Sequence, residues 1–350
     1  MLKSLFFVLF LISTSYCNPN EGEIINKILD SFYNKSVKDL FKVWHLLFKK
    51  SYTLDSQEAK SRFRIFKDNL KYIKENNAQN NGLTLGLTEF SDLTNDEYRK
   101  LYLDDNLASK LEKLARELET QQIMAGEWQP PQDIEVGENK PFDHSKYFPP
   151  ARSQGSCGSC WAFATVGAIE AAYAMKNGTC EYLSPQQLVD CDTKNYGCNG
   201  GWYYESFAYV VKNGMTLEKN YPYKAAQQSC KKSKIVKDVT VSSFKFCDTK
   251  SCVANNGFYN LLKEGPLASA VDAGTREFQN YKSGIIPSTG CRKLNHAIVA
   301  LGYGIQNGKA YYIIRNSWGA KWGQNGNAFI AYSSKGSCYV DQYGFLPVFK

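Results

Sequence analysis

The chain is 350 residues long and poor in histidine: only His45, His144 and His296 occur. So few imidazoles leave little room for a multi-histidine metal site, and histidine chemistry must use one of three named residues. Methionine is also scarce, at four residues. Outside the N-terminal run no stretch of 18 or more apolar residues appears, which argues against an internal membrane span. There is no internal repeat and no low-complexity tract. What remains is ordinary globular composition, 43% hydrophobic and 22% charged, which excludes a largely disordered chain. The length allows two or three domains, each able to bury a core.

The net charge of +8 is unevenly placed. Residues 141–350 carry 23 Lys and Arg against 13 Asp and Glu, while residues 1–140 carry 19 against 21. A basic C-terminal part raises the question of nucleic acid. The lysines are scattered, however, and the one short cluster (Lys231, Lys232, Lys234, Lys237) reads as a solvated loop. No nucleic-acid partner is expected.

Residues 1–17 read as a secretory signal peptide. Lys3 supplies the positive start, Leu5–Ile12 the apolar core and Ser15-Tyr16-Cys17 a small-residue cleavage site. The competing reading is a buried N-terminal helix. Secretory entry implies an oxidising compartment, either lysosomal or vacuolar or extracellular, in which the ten remaining cysteines can pair. In that setting Asn34-Lys35-Ser36 and Asn177-Gly178-Thr179 are glycosylation acceptors, and no stable membrane anchor is expected.

From Val37 to Asn77 the pattern is helical, with Leu40, Phe41, Trp44, Leu47 and Phe48 spaced three and four apart. A second run, Glu58, Arg62, Phe66, Asn69, Ile73 and Asn77, keeps six side chains near one helix face. Asn80-Asn81-Gly82 breaks the helix, Leu83–Asp92 is a candidate strand, and Thr94–Glu97 caps another short helix. Residues 104–140 have linker composition: a charged helical stretch over 107–122, then Gly126, Pro130, Pro131 and an acidic run. The domain boundary is placed at 126/127, separating an N-terminal region, 18–126, from a C-terminal domain, 127–350. In that domain Ser159–Met175 reads as an apolar helix stopped by Asn177-Gly178. His296–Leu301 and Lys309–Arg315 read as strands joined by a glycine-rich turn, Gly302–Gly308. Helices first and strands later make an α+β domain.

The chemistry concentrates in Gln154-Gly155-Ser156-Cys157-Gly158-Ser159-Cys160-Trp161. Glycines before a long helix put Cys160 at or beside the helix N-terminus, where unpaired N–H groups and the dipole favour a thiolate. Cys157-x-x-Cys160 alone also suits a redox or zinc pair. Zinc needs two further ligands, for which only scattered cysteines are available, and a thioredoxin-like motif should follow a strand that is not evident. A cysteine nucleophile needs a base within hydrogen-bond reach. His45 lies in the N-terminal region and His144 near the linker, which leaves His296, opening a strand 136 residues after Cys160. Asn316 follows the next strand and can orient the imidazole through its side-chain carbonyl.

Together these segments resemble a papain-family, cathepsin L-like cysteine protease precursor. The similarity runs over about residues 37–350 and rests on Gln154–Phe163, Gly197-Cys198-Asn199-Gly200-Gly201, Asn295-His296-Ala297, Asn316-Ser317-Trp318-Gly319 and Trp322-Gly323. The six residues from Glu58 to Asn77 match the family's prodomain signature at every position. Gly86–Asp92 matches its second prodomain motif, except that Thr88 replaces the usual Asn. The resemblance implies a two-lobe fold, one lobe helical and one β-barrel-like, preceded by an α-helical inhibitory prodomain. It implies a cysteine endopeptidase made as an inactive zymogen, acting on protein and peptide substrates, inhibited by its own propeptide, monomeric and free of metal or cofactor. A catalytically silent binding relative and a disulfide-exchange protein are the alternatives.

By resemblance, Cys160 is the nucleophile, resting as a thiolate beside a His296 imidazolium. Asn316 holds the ring, Trp318 shields that bond, and Gln154 donates to the oxyanion with the Cys160 amide. Gly200 and Gly201 would let substrate backbone approach. Trp202, Leu294 and Tyr343 would line the pocket for the residue two before the cut. The implied disulfides are Cys157–Cys198, Cys191–Cys230 and Cys291–Cys338. Cys180, Cys247 and Cys252 fall outside that pattern; the last two are close enough for a local bridge, which would leave Cys180 odd. No histidine lies between His144 and His296, so the histidine-bearing insertion of exopeptidase relatives is absent.

Overall fold

A computed structural model describes residues 21–33, 36–104, 107, 109, 139–253, 256–333 and 336–350. The signal peptide, the Asn34 sequon and the 126/127 boundary lie outside the described residues. The N-terminal region is helical because its apolar side chains recur at helical spacing and its helix starts are capped. Helix α1 (Glu21–Phe32) buries Ile25 and Leu29, and its Asp30 pairs with Lys282 at 3.1 Å. Helix α2 (Val37–Leu47) begins at Ser36, whose side chain accepts from the Asp39 amide, and buries Leu40, Phe41 and Trp44. The helical pattern expected through Asn77 is interrupted: Lys49 takes a left-handed φ of 49°, and Ser56 caps a fresh helix, α3 (Gln57–Ala78).

The polar stripe of α3 explains why its residues share a face. Asn69 Nδ2 donates to the Ser91 and Leu93 carbonyls at 3.0 and 2.9 Å, and the Asn77 amide bonds both ways with Leu85 at 2.9 Å. Arg62 reaches Glu97 at 3.0 Å. Side-chain amides thus satisfy backbone that would otherwise need a strand partner. The candidate strand over 83–92 is accordingly short, β1 (Leu83–Leu85), and the chain then turns into α4 (Asn95–Tyr102) through a Thr94–Glu97 capping box.

In the C-terminal domain, α5 (Cys160–Asn177) is buried nearly all round, as expected for a helix apolar on every face, and Gly178 ends it at φ 74°. With α6 (Pro185–Cys191) and α7 (Tyr203–Asn213) it forms the helical lobe. The other lobe is a largely antiparallel sheet of β2 (Phe142–Asp143), β3 (Ser243–Cys247), β4 (Leu267–Val271), β5 (Tyr281–Ile286), β6 (His296–Gln306), β7 (Lys309–Arg315), β8 (Asn327–Ala331) and β9 (Gly344–Val348). Among the described residues the order is β1-β5-β8-β7-β6-β4-β9-β3, with β2 beside β6, so the N-terminal region adds its own strand to the sheet edge. The fold is α+β with two lobes and a helical propeptide region.

One expectation is corrected. Gly302 and Gly304 belong to β6 rather than to a turn, because Phe142 and the Tyr311 ring lie where a Cβ would sit; the turn is only Asn307-Gly308, both at positive φ. Four disulfides form: Cys157–Cys198, Cys191–Cys230, Cys247–Cys252 and Cys291–Cys338. Among the described cysteines, Cys160 and Cys180 remain thiols.

The N-terminal region meets the C-terminal domain through Phe90, fully buried with its ring 4.8 Å from Trp318 and 5.2 Å from Tyr98. Phe90→Ala is expected to cost about 3–5 kcal/mol of unfolding free energy. A denaturant midpoint equal to that of the unaltered chain would show that this contact carries no stability.

Candidate active site

Cys160 is the first residue of α5 and His296 the first of β6, on different lobes. Gly167 brings the two elements together, since a Cβ there would lie 3.0 Å from Val299 Cγ2. The N-terminal position leaves orphan backbone donors near the sulfur: the amides of Cys160, Trp161 and, from the facing strand, Ala297 lie close enough to favour its thiolate. His296 Nε2 bonds to Asn316 Oδ1 at 2.8 Å, and Asn316 Oδ1 also accepts the Ser317 amide at 2.8 Å. Nδ1 of His296 is buried with no partner among the described residues. Trp318 covers the imidazole, its ring centroid 4.8 Å away.

Gln154 is fixed on both sides. Its carbonyl accepts from Ser317 Oγ at 2.5 Å, and its amide donates to the Cys157 carbonyl at 3.0 Å. Ser317 therefore decides which way the Gln154 amide points. That role was missed in the sequence, although Ser317 sits inside the Asn316–Gly319 motif. The other histidines are occupied elsewhere. His45 bonds the Tyr52 carbonyl at 2.6 Å, and His144 bonds the Leu262 carbonyl at 3.0 Å.

The cleft is filled by the chain's own N-terminal region. The Asp104 amide donates to the Asn295 carbonyl at 2.8 Å, one residue from His296. Leu107 is buried in one apolar cluster with Trp202, Leu294, Ala297 and Tyr343. No sequence signal singled out Leu107, which looked like part of a charged linker helix. Gly200 adopts a φ of 100°, and Gly201 is held to glycine by packing: a Cβ would meet the Trp161 ring at 2.7 Å and Asn195 Oδ1 at 2.5 Å. The structure thus gives Gly201 a packing reason in addition to the substrate-approach reason.

This covering has an electrostatic result. Burial pushes the Cys160 thiol up to about 11, against its three amide donors, and drives His296 down to about 4 despite the bond to Asn316. The closed chain therefore holds a neutral thiol beside a neutral imidazole. In this covered form burial disfavours both charges of the thiolate–imidazolium pair.

The papain family cysteine protease model matches residues 138–348, and the cathepsin propeptide inhibitor domain model matches residues 41–98. The chain belongs to the papain family of cysteine proteases. Papaya proteinase 4 of Carica papaya is 36% identical over 343 residues, spanning 96% of this chain and 94% of that one. The recombinant stem bromelain precursor has a TM-score of 0.75 at 32% identity, covering 90% of this chain and 99% of that one. Digestive procathepsin L 3 of the Tenebrio molitor larval midgut has a TM-score of 0.76 at 29% identity, covering 90% and 100%. This papain-family protease thus carries its inhibitor domain at its own N-terminus, and its function is that of a cysteine endopeptidase made as a zymogen.

Thr88 departs from the family's propeptide motif, yet it anchors the inhibitor domain. Its hydroxyl donates to the Gln279 carbonyl at 2.9 Å, while its own carbonyl accepts the Trp44 indole at 2.8 Å.

A thiol at about 11 is ionised in only about one molecule in ten thousand at pH 7. Iodoacetamide is therefore expected to alkylate Cys160 of the intact zymogen slowly at pH 7, with the rate still climbing above pH 9. A plateau reached below pH 6 in the intact zymogen would contradict this.

Proposed function

We propose that Cys160, His296, Asn316 and Gln154 carry peptide hydrolysis once the propeptide is removed. The observation that carries the reading is the buried His296–Asn316 bond beside a thiol at a helix N-terminus. With the cleft open, water and the amides around Cys160 stabilise a thiolate, and His296 becomes the imidazolium. The thiolate adds to the scissile carbonyl, His296 passes its proton to the leaving amine, and the acyl-enzyme is then hydrolysed by water that His296 deprotonates. The developing oxyanion is met by the Gln154 side-chain N–H and the Cys160 amide. One such donor is worth roughly 2.7–4 kcal/mol in other enzymes.

Trp202, Leu294 and Tyr343 form the pocket for the substrate residue two before the cut, with Gly200 and Gly201 along the backbone and Trp318 roofing the histidine. The burial of Leu107 among them supports an apolar pocket, and the bulk of Tyr343 makes it shallow. Val or Leu is therefore preferred there over Phe. Residues 18–126 are the inhibitory propeptide and 127–350 the mature enzyme, with the maturation cut between 118 and 140. The enzyme works as a monomer in a lysosome, vacuole or extracellular space, and Asn34 and Asn177 are glycosylation acceptors. The N-terminal signal pattern supports that location. Among the described residues no helix is long and apolar enough to cross a membrane.

Mild acid with reductant, followed by a dipeptidyl fluorogenic amide, tests the assignment. Cys160→Ala is expected to abolish turnover, and Gln154→Ala to lower kcat by about a hundredfold. Turnover surviving in Cys160→Ala would defeat it. A peptide library tests the pocket separately, where a clear preference for Phe or Arg would overturn the shallow-pocket reading.

A further inference from the structure

Behind the candidate catalytic residues lies a cavity of about 40 Å³ between the lobes, roomy enough for a water or two. Its walls hold three charged side chains, Arg152, Glu170 and Arg315. Each stands on a segment that also carries a proposed catalytic residue. Arg152 is two residues before Gln154, Glu170 is ten residues along the helix that begins at Cys160, and Arg315 immediately precedes Asn316.

The cluster is tightly wired. Arg152 bonds Glu170 and Glu218 at 2.5 Å each and the Leu183 carbonyl at 2.9 Å, and it lies 4.7 Å over the Tyr182 ring. Glu170 is 4% exposed and also accepts the Leu183 amide at 2.7 Å. Arg315 donates to the Pro149 carbonyl at 2.6 Å and lies over Phe148. Among the described residues its hydrogen bonds go to the Pro149 carbonyl and to Asn327 rather than to a carboxylate, so Glu170 balances it across the cavity and not by contact. Burial pushes the Glu170 carboxyl up to about 7 against Arg152 and the Leu183 amide, so its charge offsets the two guanidinium groups fully only above neutral pH, while the second carboxylate, Glu218, lies nearer the rim.

We propose that Glu170 and Arg315 are electrostatic positioning residues that set the pH window in which Cys160 and His296 form their charged pair. The proposal rests on the assignment of that pair made above. The sign is simple. A buried carboxylate helps nearby acids keep their protons, and a buried guanidinium helps them lose theirs. Neutralising Glu170 therefore lowers both the thiol and the imidazolium pKa, and neutralising Arg315 raises both. Other groups facing the pair do not mask this. Tyr203 and Tyr223 are held neutral by burial, and Asp104 leaves with the propeptide. A charge about 15 Å away in a medium of effective dielectric about 20 shifts a pKa by roughly half to one unit.

The test is the pH profile of kcat/KM and of iodoacetamide alkylation, both on enzyme matured from the full zymogen. Glu170→Gln is expected to move the alkaline limb down by about half a pH unit and the acid limb less, because Glu170 is largely protonated there, and Arg315→Met to move both up. Glu218→Gln should act like Glu170→Gln but more weakly, and it carries the test if Glu170→Gln fails to fold. Opposite shifts support the proposal. Shifts of the same sign, or a lower Tm with both limbs unmoved, overturn it and leave the cluster purely structural. Turnover that survives Cys160→Ala would instead remove the pair on which the proposal rests.

Discussion

The close approach of Gly167 to Val299 is the contact on which the rest of the molecule depends. It presses the helix that starts at Cys160 against the strand that starts at His296. The two residues are far apart in sequence, and no local rule brings them together. A side chain at Gly167 would have to push Val299 aside, because packed interiors yield little. Once the two elements are fixed, the start of the strand lies beside the start of the helix, with the Ala297 amide acting on the Cys160 sulfur. Asn316 directly follows β7, the strand next to β6, and Gln154 is pinned by the neighbouring Ser317. The site is thus assembled by two starting points and one crossing rather than by a loop that must order itself.

The inhibitor domain uses the same economy. It docks on enzyme backbone, with the Asp104 amide on the Asn295 carbonyl, the Thr88 hydroxyl on the Gln279 carbonyl and the Tyr98 hydroxyl on the Ala273 carbonyl at 2.7 Å. It docks equally on enzyme side chains, where Gln279 donates to the Phe90 and Leu93 carbonyls, Arg276 donates to Asn69 and Glu277 accepts from Tyr72. The apolar anchors supply the area, with Phe90 against Trp318 and Leu107 in the cluster with Trp202 and Tyr343. The α1 helix lies before the residues matched by the inhibitor family, yet it adds Asp30 on Lys282 and sets Gly22 against the Ala320 carbonyl. This chain therefore holds its propeptide over a wider footprint than the matched domain alone provides.

Much of this was legible in the sequence, and the unread parts share a cause. The capping box at Thr94, the stop at Gly178 and the stripe from Glu58 to Asn77 are local signals, written in residues that touch their own element or the next. Scarcity of histidine pointed to His296 for the same kind of reason. The failures came where a distant partner decides the outcome. Gly302 and Gly304 look like turn residues until Phe142 and Tyr311 are found where their side chains would be. Leu107 looks like linker until a pocket closes over it, and the break at Lys49 interrupts a pattern that is helical on both sides. Ser317 was in plain view, but its bond to Gln154 spans 163 residues.

Burial of the Cys160–His296 pair explains why latency and activity need no separate machinery. Three amides at the sulfur favour a thiolate, but with water excluded they do not offset the cost of an unsolvated charge, and the thiol stays protonated. The same holds for His296, where one bond to Asn316 cannot hold a buried positive charge. Covering the cleft therefore both blocks substrate and discharges the pair, through a single physical change. On the proposed assignment, uncovering it returns solvent to Cys160 and His296, the change that a charged pair needs. Among the described residues, Phe90 against Trp318 and Leu107 against Trp202, Leu294 and Tyr343 supply the apolar cover.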